Sequence, residues 1–195
     1  MTSEMGASRK EGGRKLSTAR YSKTAVMLHW LMALLIFVAF PLGMYMHGLR
    51  LSPIKLQLYS YHKWLGVTVF AFAILRLAWR ATHTPPALPA DLPHWQKVAS
   101  QATHHLLYVL IFAVPLSGWL MSSAKGFKTV WFGVLPLPDL LAKNKALGHL
   151  LATVHESLNY ILLALVVMHV AAALKHHFID KDDVLKRMSA IGKRS

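Results

Sequence analysis

The chain is 195 residues long, more than half of them hydrophobic, and carries a formal net charge of +14. So few charges on so apolar a chain disfavour a soluble domain and indicate a membrane protein. The absence of cysteine excludes disulfides, thiolate-bound iron–sulfur clusters and covalent C-x-x-C-H haem attachment. The basic residues gather at ends and loops around apolar blocks, which argues against nucleic acid as a partner.

Residues 1–23, "MTSEMGASRKEGGRKLSTARYSK", are polar and basic and predict a flexible tail. They lack a signal-peptide core and cleavage site in the right place, so the first apolar block is expected to be an uncleaved anchor. That block, Thr24 to about His47, has no formally charged residue and is long enough to span, since ~20 residues cross a bilayer core. The second runs from about Pro53 to Arg80. Its apolar stretch "WLGVTVFAFAIL" is short and flanked by Lys63 and Arg76, so it spans only if these snorkel or line a polar interior. The proline-rich "THTPPALPADLPHWQK" predicts an extended surface connection. The third block, about Val98 to Ala124, is charge-free and is expected to kink at Pro115. "KGFKTVWFGVLPLPDLLAKNKA" follows as an interfacial loop, and the fourth block runs from about Ala146 to Leu174.

The expectation is an all-α fold: a transmembrane four-helix bundle at residues 24–178, a basic amino-terminal tail at 1–23 and a basic carboxy-terminal tail at 179–195. Fifteen Lys and Arg lie on the side of the termini, against seven on the other (Arg50, Lys55, Lys63, Lys125, Lys128, Lys143 and Lys145). This bias places both termini in the cytoplasm of a multi-pass inner-membrane protein in contact with lipid. The opposite loops are still basic, with Asp139 their one acid.

His155 and His169 bracket the apolar part of the fourth block. Fourteen helical steps fall ~40° short of four turns, so both rings share one face and lie ~21 Å apart along the axis. Chain order sets His29 of the first helix at the level of His169, and His62 of the second at the level of His155. Two stacked imidazole pairs suit the iron of two b-type haems, whereas zinc prefers three or four ligands in a tight tetrahedron. Gly66, Ala164 and Ala171 to Ala173 offer room for a flat macrocycle. Taken singly, an intramembrane histidine is more often an interhelical hydrogen-bonding group. Four in matched pairs favour metal binding, and a histidine-using transporter is the competing class.

"YSKTAVMLHWLMALLIF", "YHKWLG", "RLAWRATHTPPALP", "HHLLYVLIFAVPLSGWLMSSAKG" and "HESLNYILLALVVMHVAAALKHHFIDKDDVLKRM" together resemble the prokaryotic cytochrome b561 family, from about Tyr21 to Met188. The resemblance implies a diheme membrane electron carrier with His29, His62, His155 and His169 as axial ligands and a quinone as redox partner. Some members are similar to superoxide oxidases, which pass electrons from superoxide to ubiquinone. The alternative within electron transfer is a quinol-linked carrier or membrane anchor for a periplasmic redox protein. The sequence does not set the oligomeric state.

The remaining candidates are weighed against simpler roles. Lys63, Arg76 and Arg80 are candidates for haem propionates, against ordinary snorkelling. His104, one turn before Tyr108, is a candidate quinone donor, against capping an interfacial helix end. Glu156, beside His155, is read either as tuning the site or as a solvated carboxylate. His47, His83, His94 and His149 are expected at the interface and His105 at headgroups. His176 and His177 are expected on the cytoplasmic surface, and the six tryptophans mostly in interfacial belts.

Overall fold

A computed structural model describes residues 20–87 and 92–188. The tail expected at 1–23 lies almost wholly outside the described residues. Four long helices form: α1 (Lys23–Gly48), α2 (Pro53–Thr82), α3 (His94–Ala124) and α4 (Lys145–Phe178), each long and apolar enough to cross a membrane. A short helix, α5 (Val184–Arg187), follows.

Each span starts where local chemistry permits. Ser22, Ser52 and Asn144 cap α1, α2 and α4 by accepting the N–H of Ala25, Lys55 and Leu147. Pro53 supplies the preset φ of a first helical position. α3 begins four residues earlier than the hydropathy suggests. Pro93 stands at its N-cap, and "HWQK" is helix rather than connection. The Lys97 N–H bonds the Pro93 carbonyl, so the prolines stop just short of the helix.

α4 packs chiefly on α3, α1 on α2, and α2 on α3. Midway along the bundle, Leu107, Leu110, Val114 and Leu162 form the apolar core, with Ile36 and Leu165 against it. Most other apolar side chains face outward, as lipid-facing residues do.

The two ends differ. At the termini end, Trp30 Nε1 donates to the Met188 carbonyl and Arg187 to the Ala87 carbonyl, folding residues 179–188 back across the bundle. His176 Nδ1 meets Asp182 at 2.6 Å, and Lys175 holds both oxygens of Asp180. These contacts close the turn after α4.

At the other end, the loop expected at the interface contains an antiparallel hairpin of β1 (Thr129–Trp131) and β2 (Leu135–Leu137). Phe132 and Gly133 both have positive φ at its turn, the geometry that matches strand twist in tight hairpins. A single Gly after a run of β-formers was the available cue.

Candidate functional site

Two layers of paired imidazoles cross the bundle. At the termini end the rings of His29 and His169 stand 6.2 Å apart between centroids, inclined at 69°. At the hairpin end His62 and His155 stand 6.3 Å apart, nearly perpendicular. Two metal–imidazole bonds of about 2 Å each, plus two ring radii, would fit within such a separation. Rings in van der Waals contact would be closer.

The hairpin-end pair is held in detail. His155 Nδ1 lies 3.0 Å from the Val114 carbonyl and 2.9 Å from Ser117 Oγ, and the Ser117 hydroxyl itself donates to Val114. The carbonyl fixes the proton on Nδ1 and leaves Nε2 as a lone-pair donor. Nδ1 of His62 is buried and faces the Ala39 backbone without a completed hydrogen bond. A Cβ added at Gly43 would lie 3.1 Å from His62 Cε1, and one at Gly118 3.0 Å from His155 Cε1. Each ring thus rests against a helix backbone stripped of its side chain. Gly66, singled out for space, lines the adjoining cavity, but a Cβ there would meet nothing within 4 Å.

That cavity encloses about 690 Å³ around His62 and His155, a cofactor-sized volume. Lys55, Lys63, Lys125 and Lys128 line it. Lys55 and Lys63 are already committed: Lys55 Nζ donates to the His47 and Leu49 carbonyls, and Lys63 Nζ to those of Phe127 and Lys128. Lys63 therefore clamps the hairpin's root. Glu156 is the one carboxylate on this cavity and the one acid in the four spanning helices. It is exposed.

At the termini end, His104 closes on His169, with 5.2 Å between ring centroids, while its Nδ1 is tied to the Ser100 carbonyl at 2.7 Å. Three imidazoles therefore cluster where pairing alone placed two. Arg76 Nε donates to Tyr108 Oη at 3.0 Å, and the Arg80 guanidinium lies 5.5 Å from the same ring. Neither arginine has a carboxylate partner among the described residues. Both line a smaller cavity of about 330 Å³ with Trp79, Tyr108 and Met188. His83 stacks on Trp79 at 3.8 Å, in keeping with an interfacial position.

Sequence reasoning named the four histidines but missed Gly43, Gly118, Ser117 and Tyr108. The glycines left a signal: each costs about 1 kcal/mol against alanine inside a helix, so a glycine in a membrane span calls for a packing reason.

The donor set is imidazole in trans-facing pairs, with room beside one pair for a large flat group and no thiolate anywhere. It fits haem iron. Residues 20–190 match the family of prokaryotic cytochrome b561. The chain is 36% identical over 185 residues to cytochrome b561 homolog 2 of Escherichia coli (strain K12), covering 90% of this chain and 93% of that protein. It is 30% identical over 173 residues to cytochrome b561 homolog 1 of the same organism, covering 87% and 96%. It is 28% identical over 180 residues to the probable superoxide oxidase CybB of Yersinia pestis, covering 87% and 95%. The chain belongs to the prokaryotic cytochrome b561 family, electron-transfer proteins of the bacterial inner membrane that carry b-type haem.

Proposed function

We propose that the protein holds two b-type haems, one between His29 and His169 and one between His62 and His155, and moves single electrons between superoxide on the periplasmic face and ubiquinone in the membrane. The carrying observation is the pair of matched imidazole layers. Likeness to a probable superoxide oxidase supports the choice of substrate. When bound, haem supplies reversible one-electron oxidation and reduction. Two superoxide anions each give up one electron, and one quinone takes up both with two protons.

The chain's own residues divide the remaining work. The Val114 carbonyl and Ser117 orient His155, and the helix backbone at Gly43 and Gly118 sets the distance between the facing rings. Arg76 and Arg80, lacking carboxylate partners among the described residues, supply cations for propionates at the termini-end layer. His104, which donates through Nδ1 to the Ser100 carbonyl, has Nε2 left as an acceptor for the hydroxyl of the quinol product. The positive-inside bias puts the termini, and this layer, on the cytoplasmic side.

Lys125 and Lys128 line the hairpin-end cavity, and a cationic mouth raises the encounter rate of a small anion. Neutralising both should slow reaction with superoxide roughly tenfold at low salt and flatten its salt dependence. Neutralising Lys143 and Lys145, which lie off the cavity, should do less. Equal effects would remove the steering role.

The first measurement is an optical spectrum of purified protein. Reducible b-type absorption at two haems per chain is expected, and its absence would favour the transporter class. Stopped-flow mixing with superoxide, then with a quinone, comes next. Reduction by quinol but not by superoxide would instead favour the carrier for a periplasmic partner.

A further inference from the structure

The hairpin is built for lipid. From Thr129 to Pro138 the sequence has no charged residue, while Lys125 and Lys128 precede it and Asp139, Lys143 and Lys145 follow. Its tip is apolar and open: Val134 is 83% exposed, Phe132 57% and Leu135 51%. In water such a tip would be a liability. Flanked on both sides by charges that can reach headgroups, it has the pattern of an interfacial insertion.

Its register against α2 fixes its depth. Trp64 Nε1 donates to the Val130 carbonyl, and Trp131 Nε1 to Thr68 Oγ1. Thr68 lies six residues past His62 along α2, about 9 Å further towards the middle of the span. The hairpin therefore lies against the side of a membrane helix, and its Trp131 side chain reaches past the level of His62.

A strand edge at this depth must hide its polar backbone. The Val130 carbonyl accepts from Trp64 Nε1 and from the Gly133 N–H of the turn, so it is satisfied within the protein. Proline at 136 has no N–H to expose on the free edge. The Pro138 carbonyl, next outward on that edge, accepts from Trp119 Nε1 at 3.0 Å. Phe132 is held at φ 49°, a costly value for a residue with a side chain, with its ring packed on Trp64 and Trp131.

We infer that residues 129–137 insert into the membrane leaflet at the hairpin end and that their apolar tip is covered by lipid acyl chains rather than by a soluble partner. Insertion fixes the root of the hairpin. Phe127, Lys128 and Thr129 wall the cavity beside His62 and His155, and Lys63 ties that wall to α2. The lipid thereby holds one side of the cavity in shape.

Because the chain has no cysteine, Val134→Cys and Leu135→Cys accept a single nitroxide label without further changes. The labelled full-length protein goes into phosphatidylethanolamine–phosphatidylglycerol vesicles, and collision with oxygen is compared with collision with an aqueous nickel chelate. Phe37→Cys on α1 serves as the lipid reference and Lys145→Cys as the water reference. The oxygen-to-chelate ratio at both hairpin positions should match that at residue 37 and exceed that at residue 145 several-fold. A ratio at both positions equal to that at residue 145 would place the tip in water and overturn the insertion.

Discussion

Replacing His62 or His155 with alanine should leave a protein with one haem per chain, and replacing His29 or His169 should remove the other. The layers are ~21 Å apart along α4, too far for the loss of one to disturb the second directly. On the proposed assignment both imidazoles of a layer would hold the same iron, so the second substitution should add little to the first. His62→Ala with His155→Ala should therefore still retain one haem, whereas His62→Ala with His29→Ala should retain none. This strong non-additivity within a pair, with additivity between pairs, is what shared sites produce. Haem per chain from the alkaline pyridine spectrum, read beside a redox titration, decides it. If His62→Ala and His169→Ala remove the same haem, the assignment of pairs is wrong.

The same variants bear on stability. α4 packs mainly on α3, and the two histidine pairs, the Phe40–Tyr160 ring contact and the apolar core that includes Leu162 and Ile36 link it to α1 and α2. A group bound between the rings stabilises the folded state by mass action, so each single variant should also melt at lower temperature.

Much of this was legible in the sequence, and the reasons are specific. Apolar block length gives four spans because a bilayer demands it. Chain order alone sets His29 against His169 and His62 against His155, since helix direction alternates. Side-chain detail was less accessible. That Lys63 spends its donors on the Phe127 and Lys128 carbonyls depends on a hairpin whose strands are three residues each, too short for an alternating pattern to register. His104 was read as a candidate at a helix end. Its closeness to His169 follows from how tightly α3 and α4 pack, which no spacing within one helix reports. Glu156 could be placed on the helix but not on the cavity, because one step of ~100° leaves its facing undetermined.

Gly118→Ala should approach the damage of losing a ligand, and Gly43→Ala should disturb the same layer less, though neither glycine carries a functional group. At Gly118 the new methyl carbon would lie 3.0 Å from His155 Cε1 and 3.3 Å from its Nδ1. The ring cannot simply turn away, since that Nδ1 is tied to Val114 and Ser117. Relief requires breaking those bonds or parting α3 from α4, the most closely packed pair in the bundle. Overpacking of this kind costs about 1–3 kcal/mol, and here it acts along the line on which the two rings must face each other. At Gly43 the methyl would stand 3.1 Å from His62 Cε1, but the ring's Nδ1 has no completed hydrogen bond to break. Gly43→Ala should thus be the milder of the two, shifting the midpoint potential and spectrum of the hairpin-end haem, while Gly118→Ala lowers its occupancy. Both should leave the His29–His169 site unchanged, which separates displacement of a ligand from general misfolding. Gly66→Ala, where the added carbon meets nothing within 4 Å, is the control on the same cavity and should retain both haems. Full occupancy and an unshifted potential in Gly118→Ala would show that the rings are not set by the glycine backbone.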